Sequence, residues 1–81
     1  MRIRVYMKDG RTCYRLASVE VLHALINASP ASSDWLGNAA PPEAVDAERA
    51  YWNGSTGLWH FEPIRVLSID RGSIAVVEED A

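Results

Sequence analysis

Residues 58–77 read Leu-Trp-His-Phe-Glu-Pro-Ile-Arg-Val-Leu-Ser-Ile-Asp-Arg-Gly-Ser-Ile-Ala-Val-Val, the longest apolar, β-branched run in the chain. With only 81 residues to fold, no other segment could centre a core. Residues of this type favour strands, because branched and aromatic side chains fit a pleated, half-buried surface. Asp70-Arg71-Gly72 interrupts the run as a hairpin turn would. Pro63 cannot donate to a sheet ladder, so it implies an edge, a bulge or a bend in the first of the two strands.

The N-terminal segment reads with similar clarity. Arg2-Ile3-Arg4-Val5-Tyr6-Met7 alternates polar and apolar residues, the period of a half-buried strand. Asp9-Gly10 is a two-residue hairpin signal, and Thr12-Cys13-Tyr14-Arg15-Leu16 returns. Pairing Lys8 with Arg11 sets the register. Ile3 then faces Leu16, Val5 faces Tyr14 and Met7 faces Thr12 on one side. Arg4 faces Arg15 and Tyr6 faces Cys13 on the other. A slip of one residue would destroy this sorting.

Ser18 is a helix N-cap, and Val19, Val21, Leu22, Leu25 and Ile26 recur at helical spacing, so a helix is expected over residues 19–28. Residues 29–40 read as a loop anchored by Trp35. Pro41-Pro42-Glu43 reads as the start of a second helix, running to Trp52 and closed by Asn53-Gly54. The expected architecture is therefore one α+β domain over residues 1–81 with element order ββααββ. Both helices would cover one face of a four-stranded antiparallel sheet. Strands two and three would lie at its edges, with strands one and four adjacent.

Charge is distributed unevenly. The chain carries a net −3, yet residues 1–15 hold Arg2, Arg4, Lys8, Arg11 and Arg15 against Asp9 alone. That total is too small for acidic mimicry of DNA and lacks the basic excess of a general nucleic-acid binder. Arg4 opposite Arg15 and Lys8 opposite Arg11 are like-charge cross-strand pairs, which cost stability. An acid must offset them: the chain's own Glu78-Glu79-Asp80, or a partner.

Catalytic chemistry finds little support. Cys13 is the single cysteine, which excludes a disulfide framework and fits a reducing, cytoplasmic setting. Cys13, His23 and His60 stand at no metal-ligand spacing. His60 and Glu62 share a strand face and could form an acid–base pair, but nothing else supports a site. No cofactor motif, signal peptide or membrane span is expected.

The chain thus reads as a non-enzymatic module that binds another protein, with Arg4, Arg11, Arg15 and Trp35 as contacts. Arginine and tryptophan favour interface hot spots. The alternative is a nucleic-acid binder using the basic hairpin face. Exposed hairpin edges would also admit a homodimer. In size, acidity and lack of catalytic groups the chain is similar to small phage-encoded inhibitors such as anti-CRISPR or anti-restriction proteins. That likeness is one of type, carried by no motif.

Overall fold

The computed structural model describes residues 1–28, 31–36 and 39–80. Strands β1 (Ile3–Met7) and β2 (Thr12–Leu16) form the first hairpin. Ile3 lies opposite Leu16, Arg4 opposite Arg15, Val5 opposite Tyr14 and Tyr6 opposite Cys13, the register that apolar sorting required. The Asp9 carboxylate closes the turn by accepting from the Arg11 and Thr12 amides and the Thr12 hydroxyl. These bonds hold its pKa below the usual carboxylate range. Gly10 takes a left-handed φ of 71°, which a side chain would disfavour.

Helix α1 spans Val19–Ala28, with Leu22 and Leu25 buried. Ser18 caps it, its hydroxyl accepting from the Val21 amide at 3.3 Å. The expected second helix does not form. Residues 45–53 are instead strand β4 (Val45–Asn53), paired on one side with β2 and on the other with β5 (Leu58–Ser68). The same residues alternate as readily as they wind: Val45, Ala47, Arg49 and Tyr51 take one face, Asp46, Glu48, Ala50 and Trp52 the other. A ladder on both sides outweighs the propensity of a ten-residue helix, which is marginal by itself. Pro41-Pro42 serves a turn, with the Ala44 amide donating to the Pro41 carbonyl at 3.1 Å. Part of the expected 29–40 loop is also a strand, β3 (Ser33–Trp35), which pairs with β5; residues 29, 30, 37 and 38 of that loop lie outside the described residues.

The expected hairpin at Asp70-Arg71-Gly72 is likewise corrected. β5 pairs with β4 along nine consecutive positions, and the tight connection is the Asn53–Gly57 turn, where the Gly57 amide donates to the Asn53 carbonyl at 2.9 Å. β4 lies on one side of β5, and β3 occupies the Arg65–Ser68 part of the other, where a strand returning from Asp70 would pair. Asp70 instead caps a single 3-10 turn, Arg71–Ser73, accepting from the Gly72 amide and the Ser73 hydroxyl. The chain passes from there to β6 (Ile74–Glu79) at the opposite edge.

The result is a six-stranded sheet of order β3-β5-β4-β2-β1-β6, with every pair antiparallel. This replaces the expected four strands and two helices. β2, expected at an edge, lies inside. The adjacency of the first and last strands does occur, with Arg4 opposite Glu78. β3 pairs only with the Arg65–Ser68 part of β5, so Pro63 sits where that side has no neighbour and its missing N–H leaves no gap.

The core lies between α1 and one sheet face. Ile3, Val5, Met7, Tyr14, Leu16, Ile64 and Val66 come from the sheet, Leu22 and Leu25 from the helix. Ile69, fully buried, joins them from the crossover, where its amide donates to the Leu25 carbonyl at 3.1 Å. Ile69→Ala should therefore cost about 2–4 kcal/mol through the cavity it leaves. A lowered urea midpoint with unchanged slope would register that loss, together with faster amide exchange in the last turn of α1.

Candidate functional site

Side chains alternate across a strand, and cross-strand partners share a face. With Val5, Tyr14 and Ile64 turned to the helix, the opposite face receives Arg4 and Tyr6 from β1 and Cys13 and Arg15 from β2. Glu48, Ala50 and Trp52 come from β4, Trp59 and Phe61 from β5. No backbone layer covers this face among the described residues, yet Cys13 is 1% exposed and Ala50 fully buried. They are the small members of a row that runs Tyr6, Cys13, Ala50, Phe61 across four strands. The large neighbours close over them. Tyr6 and Trp59 bring their ring centroids to 5.9 Å, and Trp59 meets Trp52 edge-on at 5.5 Å. The Arg15 guanidinium lies 4.0 Å over the Phe61 ring, and that of Arg4 lies 5.5 Å from it. Cations on a ring face are held by its quadrupole. Burial pushes the Cys13 thiol pKa up, away from the thiolate form a nucleophile needs.

The like-charge pair Arg4–Arg15 is offset from within the chain. Asp80, with its side chain 6% exposed, places one oxygen 2.9 Å from Arg4 Nε and the other 2.8 Å from Arg15 Nε. Glu48 sits 3.1 Å from Arg15 Nη1. The Tyr6 hydroxyl donates to Glu78 at 2.8 Å, which raises its pKa. The hairpin is thus flanked by an acidic strand on each side, and its basic face is neutralised rather than bare.

A second ionic cluster lies on the helix side of the sheet. Asp34 takes Arg49 Nη1 at 2.5 Å and the Tyr14 hydroxyl at 2.5 Å, while Arg49 Nη2 reaches Glu62 at 3.4 Å. Burial, then the bond to Asp34, push the Tyr14 pKa well above its ordinary value. This cluster binds short β3 to three other strands. It also engages Glu62, while His60, two residues away on the same strand face, is exposed opposite Tyr51.

Of the residues singled out by sequence, Arg4 and Arg15 come together. Arg11 lies exposed at the adjacent turn, its carbonyl accepting from the Trp52 amide at 3.3 Å. Trp35 does not join them: it lies on β3 opposite Arg65 of β5, with three strands between it and β1. Sequence reasoning placed Tyr6 on the face of Arg4 and Arg15 and named Asp80 among the acids that offset them, but missed Trp52, Trp59, Phe61 and Glu48 as members of the same surface. The spacing of Trp59 and Phe61 along one strand was a usable signal. Trp52 was lost with the assignment of its segment to a helix.

This face is open at the β4–β5 tip, where Trp52 is 49% exposed; Tyr51 and Leu58, 38% and 66% exposed, lie at the same tip but on the helix side of the sheet. Among the described residues no group of His, Cys, Asp and Glu could hold a metal ion, and no helix is long and apolar enough to cross a membrane. Comparison with family models, with curated proteins and with solved structures gives no match. What the arrangement offers chemically is a flat aromatic surface with guanidinium edges.

The role of Asp80 can be measured. Asp80→Ala leaves two adjacent guanidinium groups without their shared carboxylate, and should lower stability by about 2 kcal/mol. Urea unfolding of the variant at neutral pH would check this, and a change within error of zero would mean that the ion pairs contribute nothing.

Proposed function

We propose that this protein is a non-enzymatic binding module that engages another protein through the open face of its sheet. Trp52 and Trp59 would be the anchors, and Arg4, Arg11 and Arg15 the polar rim. Such a module acts as inhibitor, adaptor or small subunit by occupying its partner's surface. The observation that carries the reading is the aromatic layer on the face opposite α1, ending in a half-exposed Trp52. Interface hot spots favour Trp, Tyr and Arg in just such a setting, central aromatics ringed by polar groups. An open sheet edge extends the reading to a second copy of the chain as a further partner.

Nucleic acid is the weaker reading. Exposed rings can stack bases, but phosphate contact needs free cations, and here Arg4 and Arg15 already face Asp80 and Glu48. The net charge of −3 points the same way.

The test uses affinity capture from the native cell extract with and without nuclease, followed by titration of the captured protein. Trp52→Ala should weaken that complex by about thirtyfold or more, as loss of a hot spot of about 2 kcal/mol requires. Trp52 lies at the hairpin tip, outside the core, so the helix and the remaining sheet should persist, which circular dichroism would verify. A nuclease-sensitive capture whose affinity falls steeply with salt would favour nucleic acid instead. A protein complex unaffected by Trp52→Ala would remove the aromatic face from consideration.

A further inference from the structure

Another surface without a neighbour among the described residues is the outer edge of β6. Its sequence is Ile-Ala-Val-Val-Glu-Glu, exposed from Ala75 to Glu79, and it pairs with β1 alone. Val76 is 53% and Val77 42% exposed. Edge strands are normally blunted by proline, lysine or shortness. The opposite edge, β3, has only three residues, whereas β6 has six and no such device in its apolar half.

The register shows which backbone groups are open. The Asp80 amide donates to the Arg2 carbonyl at 2.9 Å. In an antiparallel ladder, bonded and non-bonded pairs alternate, so Glu78 opposite Arg4 is a bonded pair and Val77 opposite Val5 is not. The N–H and C=O of Val77 therefore point outward, away from β1, as do those of Glu79. Beside this edge runs a largely apolar groove of about 360 Å³ between α1 and β6, walled by Val19, Leu22, Ile26, Ile74 and Val77 with His23 and Arg71. Val19 is itself 43% exposed.

We infer that β6 pairs antiparallel with β6 of a second copy of this chain, about a two-fold axis at Val77, joining two sheets into one. The occupant is set by charge and by shape. Exposed Arg71 precedes the strand and exposed Glu78 and Glu79 end it. Antiparallel self-pairing brings the cationic end of each copy toward the acidic end of the other, whereas parallel pairing would set glutamate beside glutamate. A two-fold axis perpendicular to the sheet keeps both α1 helices on the same side. The two grooves then meet across the Val77 side chains, and each copy covers apolar surface that the other leaves open. The inference extends the binding reading to a different surface, and either can fail without the other.

Sedimentation equilibrium and amide hydrogen exchange, each at low- and high-micromolar concentration, test it on the intact protein. The expected result is a dimer at high concentration, with the Val77 amide protected there and unprotected in the monomer. Val77→Lys places two cations at the axis, and should weaken dimerisation by more than about tenfold while the circular dichroism spectrum is kept. Trp52→Ala should dimerise like the unchanged protein. A monomer at every concentration overturns the inference, as does a dimer in which Val77 exchanges freely. A dimer abolished by Trp52→Ala would place the contact on the aromatic face and overturn it equally. So would a monomer whose β6 edge accepts a strand from some other protein.

Discussion

A six-stranded sheet has two faces, and among the described residues this chain has one ten-residue helix to cover them. That shortage governs the rest of the molecule. The helix takes the face bearing Val5, Leu16, Ile64 and Val66, and an ordinary aliphatic core results. The other face must be covered by its own side chains. Cys13 and Ala50 give the floor because they are small. Tyr6, Trp59 and Phe61 fold across them because they are large. Arg15 completes the cover as a flat guanidinium over Phe61, its aliphatic stem and planar head replacing a layer of backbone.

Using arginine as a lid has an electrostatic consequence. Arg4 and Arg15 stand opposite each other, and their repulsion is tolerable only beside carboxylates. Sheet order supplies these. β2 lies against β4, which brings Glu48, and β1 lies against β6, which brings Glu78 and leads to Asp80. The uneven charge of the sequence is thereby explained as local compensation. The basic hairpin sits between two acid-bearing strands, and no long-range basic field remains to steer a polyanion.

What the sequence disclosed follows from how local each feature is. The first hairpin was legible because its register is fixed by alternation and by the Asp9-Gly10 turn. Helix α1 was legible because cap and periodicity agree. Residues 45–53 were not, because Val45, Ala47, Arg49, Tyr51 and Trp52 satisfy a helical and an alternating pattern together, and only ladders on both sides decide between them. The partner of residues 58–68 was misread for the same reason. Asp70-Arg71-Gly72 has hairpin chemistry, but Ile69 is drawn under α1 and turns the chain off the sheet. At the site, Arg4 and Arg15 were legible from register alone. Trp52 was hidden by the helix assignment, and the hold that Asp34 has on its segment, through Arg49 and Tyr14, had no local signal.

The same shortage of cover accounts for where the exposed apolar surface lies. β2 pairs with β4 as far as Tyr51, with one further bond from the Trp52 amide to the Arg11 carbonyl, and beyond it the β4–β5 hairpin continues as two strands. A two-stranded ribbon is marginal in water. Here Trp52 and Trp59 lie opposite each other and meet edge-on, a contact worth about 0.5–1.5 kcal/mol beyond the area it buries. The pair stabilises the ribbon, yet Trp52 stays 49% exposed, while Trp59 is sheltered on its other side by Tyr6. A residue that lets the tip persist as structure is thus one it leaves half in water, and a partner surface laid against it would finish the burial that the single helix cannot.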